Sequence, residues 1–314
     1  MMSNVAFVLN IIALIIDLCT CVIILFILCI AIYHIVCKNL KQEDRVVICV
    51  CLTIYPVIFL FTIIAVSFHI QTLLGDLYEK TFNSASCTPI GYISYVFLNM
   101  FYWAFINQAL FRLCRIVYSR YQYLQSFWFY ICLSLIELVF SFIVLSPLLF
   151  WHAIVYLTDD FYCYVKFTHT RGILWLAFGI YGIPLSILSL IYLRIAIFLR
   201  RQPGNLATAV RQRQQRDLAV FQRILVTIGI LVILGIAPII FLIMAQITGE
   251  DYFLAFRLIW PFISLTMIGS SLALLLFTPQ LKHMILKIAY QTQIVPFDSA
   301  AGNSIEQQRA TTRV

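Results

Sequence analysis

Seven stretches of this chain, at residues 6–34, 46–69, 88–111, 128–152, 172–199, 224–247 and 254–277, are apolar almost without interruption. Each exceeds the ~20 residues an α-helix needs to cross the hydrocarbon core of a bilayer. They lack the period-two alternation and the ~10-residue length of outer-membrane barrel strands. A backbone surrounded by lipid must satisfy its own hydrogen bonds, and runs this long do so as helices. The expected fold is therefore all-α, a polytopic membrane protein built as a seven-transmembrane helix bundle. Composition agrees, with 63% of the 314 residues hydrophobic and 11% charged, against roughly 45–50% and 25% in soluble domains.

Lysine and arginine set the orientation. With the amino end outside, 17 of the 21 fall on inner segments, and only Lys80, Lys166, Arg171 and Arg257 fall on outer ones. The positive-inside rule selects that arrangement. The expectation is a multi-pass plasma-membrane protein with its N-terminus outside and its C-terminus cytoplasmic. The net charge of +8 then belongs to a cytoplasmic membrane face, so the lipid bilayer is an expected partner and nucleic acid is not. No Lys or Arg precedes the first run, which is too long for a signal-peptide core and reads as an uncleaved helix.

Of ten cysteines, seven lie in or at the edge of spans and Cys37 lies at the inner rim, leaving only Cys87 and Cys163 outside. Two thiols in an oxidising exterior predict one disulfide, joining the top of the third span to the loop after the fourth. Asp17 and Glu137 stand near the middle of spans one and four. Each must face the bundle, either as a satisfied interhelical contact or as an ion or proton site. In the third span Ser94, Tyr95, Leu98, Asn99 and Tyr102 form a mixed polar and aromatic stripe that serves either packing or a pocket wall. The loop YLTDDFYCYVKFTHTR carries Asp159 and Asp160 and reads either as a screen for cationic or peptide ligands or as a solvated lid.

Span five is broken by Gly182 and Pro184. Pro238 gives span six a hinge. Ahead of it, LATAVRQRQQRDLAVFQRIL is a basic, helix-compatible stretch suited to anionic headgroups or a cytosolic partner. After Thr278-Pro279, Leu281, Met284, Ile285 and Ile288 share one face, as in a short amphipathic eighth helix on the inner membrane surface. Residues 1–291 thus form one transmembrane domain and 292–314 a disordered cytoplasmic tail.

Motifs for chemistry are missing. The sequence has no Ser/His/Asp set, HExxH, Cys-x-x-Cys or phosphate-cradling glycine loop, and none of its five histidines pairs with another at ligand spacing on one helix. No enzyme activity, metal or cofactor is expected, and span seven has no lysine to hold retinal.

Cys87 is followed 25 residues later by Arg112, with Cys163 in the second outer loop; Pro184 is followed eight residues on by Tyr192; and Pro238 and the 278–290 segment complete the set. Over residues 1–291 this pattern resembles the rhodopsin-like family of G-protein-coupled receptors. The departures are specific. Phe111-Arg112-Leu113 stands where the family has Asp/Glu-Arg-Tyr, and Gly235-Ile236-Ala237-Pro238 where it has Cys-Trp-x-Pro. Ser270-Ser271-Leu272-Ala273-Leu274 replaces Asn-Pro-x-x-Tyr, and the family's second-span sodium-site aspartate has no counterpart. The resemblance implies a receptor for an extracellular ligand, peptide or small molecule, that activates heterotrimeric G proteins. It assigns coupling to Arg112, Tyr192, Asp217 and Pro238, with Asp217 holding Arg112 in the resting state. Depth along each helix puts Ser94, Tyr95, Leu98, Ile239, Trp260 and Ser264 in the ligand pocket. An acid is missing from the third span, which argues against an amine ligand. Two other readings stand beside this one, a transporter or channel using Asp17 and Glu137, and a non-signalling seven-helix scaffold.

Overall fold

A computed structural model of the chain describes residues 2–37, 42–118, 120–201, 229, 239–249, 252 and 254–277. Helix α1 is Met2–Cys37, α2 Gln42–Tyr78, α3 Cys87–Ile116 and α4 Phe127–Leu145, followed by a single turn, α5, at Pro147–Phe150. A hairpin comes next, β1 Ile154–Leu157 and β2 Tyr162–Val165. The fifth apolar run is α6 Thr170–Leu176, a π-helical segment Ala177–Gly182, and α7 Ile183–Arg201. Helices α8, Ile239–Thr248, and α9, Ala255–Phe277, complete the set. Among the described residues six helices are long and apolar enough to cross a membrane, so the chain is a multi-span helical membrane protein. The sixth apolar run is seen chiefly at its C-terminal end, α8. Its earlier part, Asp217 and Pro238, the basic stretch before it, and the segments expected as an eighth helix and a tail lie outside the described residues.

Helix α3 runs through the middle. Its membrane window is 67% buried against 22% for the α4 window, and it packs on α2, α4, α7 and both strands. Apolar side chains gain little by leaving lipid for other apolar side chains, so polar contacts between helices set the register. Asn99 donates to Ser141 at 3.1 Å and Asn107 to Ser134 at 3.2 Å, joining α3 to α4 at two levels. Tyr55 of α2 donates to the Ser271 carbonyl of α9.

The π-helical segment precedes Pro184, which has no N–H to give and whose ring presses on the carbonyl four residues back. A widened turn absorbs both effects. The break expected at Gly182 and Pro184 is this local widening, and the helix continues through it.

The loop after α5 differs from both sequence-based readings. Ile154 pairs with Val165 and Leu157 with Tyr162 in an antiparallel register, and all four residues of β2 are buried. Rather than a solvated lid, the hairpin is a plug seated in the mouth of the bundle at the Cys87 end of α3. Disulfide Cys87–Cys163 ties it to the first residue of α3, with a Cα–Cα distance of 5.4 Å. Two glycines admit it. A Cβ on Gly91 would collide with the Cys163 carbonyl, and one on Gly75 with the Phe161 ring. Phe161 itself has φ 64°, a left-handed conformation that a bulky residue adopts only when its packing insists.

Candidate functional site

Below the hairpin lies an apolar cavity of about 210 Å³. Helix α3 contributes Tyr95 and Leu98, the fifth span Leu176 and Ile180, α8 Ile239 and Leu242, and α9 Phe256 and Trp260. The hairpin supplies Tyr164 and Val165, and Phe167 follows it in the wall. Among the described residues no charged side chain lines it. Its polar groups are tyrosine hydroxyls and one indole N–H, and these are largely engaged. Tyr95 Oη accepts from the Val165 N–H at 3.2 Å, and Trp260 Nε1–H donates to Tyr162 Oη at 2.8 Å. Burial raises the Tyr162 and Tyr164 phenols well above their ordinary range, so both hairpin hydroxyls are neutral.

Aromatic packing fixes the ceiling. Tyr164 stacks on Tyr95 with centroids 4.2 Å apart, and Phe167 meets Phe256 at 4.8 Å. Such pairs contribute about 0.5–1.5 kcal/mol beyond the area they bury. Outside them, Arg257 of α9 closes the rim. Its Nε donates to Asp160 Oδ1 at 2.8 Å, its two terminal nitrogens hold Asp76 of α2 at 2.7 and 3.1 Å, and it also reaches the Asp159 carbonyl. Thr72 Oγ1–H donates to the Asp160 carbonyl at 2.6 Å. One guanidinium thus serves two carboxylates from separate segments. Burial pushes the Asp160 carboxyl up to about 6, against the pull of Arg257. Asp160 is therefore a rivet of the plug, already occupied by a cation of the chain itself.

Of the six pocket residues expected from depth along the helices, Tyr95, Leu98, Ile239 and Trp260 line this one cavity. Ser94 and Ser264 do not. Ser94 turns back on its own helix, donating to the Gly91 carbonyl at 2.7 Å, and Ser264 lies beside Asp17. The stripe on α3 therefore divides its work: Tyr95 and Leu98 face the cavity, and Asn99 faces Ser141 of α4. Sequence reading missed the hairpin and the fifth-span wall. The alternation Tyr162, Tyr164 around Cys163 was the available signal for a strand.

At the other end of α3, Tyr192 lies within reach of the Arg112 charge and is buried with Ile106, Ala109, Leu188 and Ile195. Phe111 packs on Tyr130 with centroids 5.2 Å apart, beside Val50. It fills an apolar joint between helices.

Both mid-membrane carboxyls have partners. Glu137 reaches the Asn107 side chain of α3. Asp17 meets His69 of α2, with Nε2 and Oδ2 3.2 Å apart. His69 is 2% exposed, inside the bundle. Among the described residues no group of three or more His, Cys, Asp and Glu side chains is placed to hold a metal ion. No protein-family model matches the chain, and no curated protein sequence matches it.

Proposed function

We infer that this chain is a seven-helix receptor of the rhodopsin-like kind, which binds a small, uncharged, apolar ligand in its outer half and acts on heterotrimeric G proteins at its inner face. The observation that carries this reading is the apolar cavity under a disulfide-tied plug. At about 210 Å³ it exceeds the ~150 Å³ apolar void that stays dry and takes up benzene in an engineered cavity. An uncharged lining leaves a charged ligand without a counter-ion and makes its desolvation prohibitive. The hairpin seated over the cavity and the apolar lining beneath it favour a small molecule over an extended peptide. Closeness of Tyr192 to Arg112 supports a switch at the inner end, where a ligand that fits one packing of the spans better than another would bias the equilibrium.

The test is guanine-nucleotide exchange on G proteins co-expressed with the wild type, Arg112→Ala and Leu98→Trp, in membranes supplied with fractionated lipophilic extracts. Extract-driven exchange should appear in the wild type and vanish in Arg112→Ala. Leu98→Trp fills the cavity and should abolish the response to extract while leaving any constitutive exchange in place. Exchange absent from the wild type under all conditions would refute the receptor reading and favour the non-signalling scaffold. Asp17 and Glu137 belong to separate networks on different helices, which is unlike a single ion path.

A further inference from the structure

Four side chains from three spans converge inside the bundle: Asn10 and Asp17 of α1, His69 of α2 and Ser264 of α9. None is more than 3% exposed. Their roles follow from hydrogen-bond chemistry. Asn10 Nδ2 donates to the His69 backbone oxygen at 3.0 Å. A carbonyl only accepts, so this contact fixes which end of the amide faces the ring. Asn10 Oδ1 then stands 2.8 Å from His69 Nδ1 and, being an acceptor, requires the proton on that nitrogen. A neutral ring held this way presents a bare lone pair at Nε2.

That lone pair lies 3.2 Å from Asp17 Oδ2. Nitrogen and carboxylate lone pairs at such a distance repel, and away from water the repulsion is poorly screened. One positive charge must sit between them. Among the described residues neither atom has an aligned hydrogen-bond partner, and the Ser264 hydroxyl stands beside the carboxylate. The nearest guanidinium on α9, Arg257, is committed to Asp76 and Asp160. Among the described residues a divalent metal would find only one nitrogen, one carboxylate and one hydroxyl, and would leave a net charge in the membrane-spanning part. A proton leaves none.

We propose that Asn10, Asp17, His69 and Ser264 form a single-proton binding site, in which His69 Nε2 and Asp17 Oδ2 share one proton and the bundle interior stays neutral. Asn10 sets the ring, Ser264 stands by the carboxylate, and the proton joins α1 to α2. Any rearrangement that parts Asp17 from His69 binds or releases a proton, so helix movement at this place is linked to pH. The site adjoins the cavity through Trp260, which lines it and whose ring centroid is 5.3 Å from that of His69. The proposal does not depend on what the cavity binds.

The test uses the full chain in lipid nanodiscs and compares thermal midpoints of the wild type and Asp17→Asn between about pH 5.5 and 8. An unfolded chain gives up its histidine proton above about pH 6.5. The folded wild type keeps one proton, so raising the pH past that value should lower its midpoint. Folded Asp17→Asn holds no proton there, and its midpoint should instead fall as the pH is lowered through the same value. Neighbouring groups are common to both proteins and drop out of the comparison: Cys21 on α1, Asp76 on α2, Arg257 on α9, and Asp160 and Tyr162 from the plug. As a second arm, His69→Leu strands the carboxylate and should cost many degrees, most of which Asp17→Asn added to it restores. Parallel pH profiles for the wild type and Asp17→Asn would overturn the proposal, as would strictly additive costs in the double variant. A zinc-dependent rise in midpoint that Asp17→Asn removes would also overturn it, in favour of a metal.

Discussion

At the residue scale, Arg257 is the charge on which the rim depends. It neutralises Asp76 and Asp160 together, so Arg257→Leu leaves two carboxylates unneutralised, one of them buried. Breaking a buried pair this way costs about 3–5 kcal/mol, and the thermal midpoint at pH 7.5 should fall accordingly. Asp160 adds a pH dependence whose sign is fixed. Its folded carboxyl titrates at about 6, above the ~3.9 of a free aspartate. The folded protein therefore takes up the proton first, and stability rises as the pH falls from about 6 to 4, by at most ~1.4 kcal/mol per unit. Asp160→Asn should remove that component, which appears as the difference between the two midpoint-against-pH curves. If the curves coincide, Asp160 is ionised throughout and the rim is less buried than its geometry implies.

At the scale of elements, the plug and α3 are held by a covalent tie and a close fit. Cutting Cys87–Cys163 releases a loop with a sequence separation of 76, for which chain entropy gives a loss of up to about 4 kcal/mol. Cys87→Ser and mild reduction of the wild type should lower the midpoint equally. Gly91→Ala tests the fit alone, since the added methyl meets backbone rather than a side chain that can turn away. Overpacking of this kind costs about 1–3 kcal/mol, and hydrogen exchange across 154–165 should accelerate while α1 and α2 stay protected. Much of this element was hidden in the sequence. Cys87 and Cys163 could be paired by counting thiols on the outer side, because topology left no others. The hairpin was harder to read, because Tyr162 to Val165 is buried on both faces and its one signal is the spacing of Tyr162 and Tyr164 around Cys163, with no polar face to mark the strand. His69 was unreadable as a partner for Asp17 for another reason: periodicity places a residue on a helix and says nothing about which neighbour its face will meet. Tyr95, Leu98, Ile239 and Trp260 were legible by depth, which helix geometry fixes at ~1.5 Å per residue. Ser94 and Ser264 have suitable depth and the wrong azimuth.

For the whole molecule, charge distribution predicts the topology. Epitope tags placed in 79–86 and 158–161 should be reached by antibody on intact cells, and a tag in 117–126 only after permeabilisation, because Arg112, Arg115 and Arg120 hold that end inside. Detection of all three on intact cells would invalidate the orientation and with it the receptor reading. The π-helical segment bears on how such a molecule transmits anything. Each residue of an α-helix turns the chain by about 100°, so one surplus residue between Ile173 and Tyr192 offsets the azimuth of the lower half of that rod from the upper by that angle. Absorbing the surplus would swing Tyr192 around the rod axis while the wall at Ile180 held still. The rod would then act as a cam, converting a small change of winding beside the cavity into a large lateral displacement at the Arg201 end.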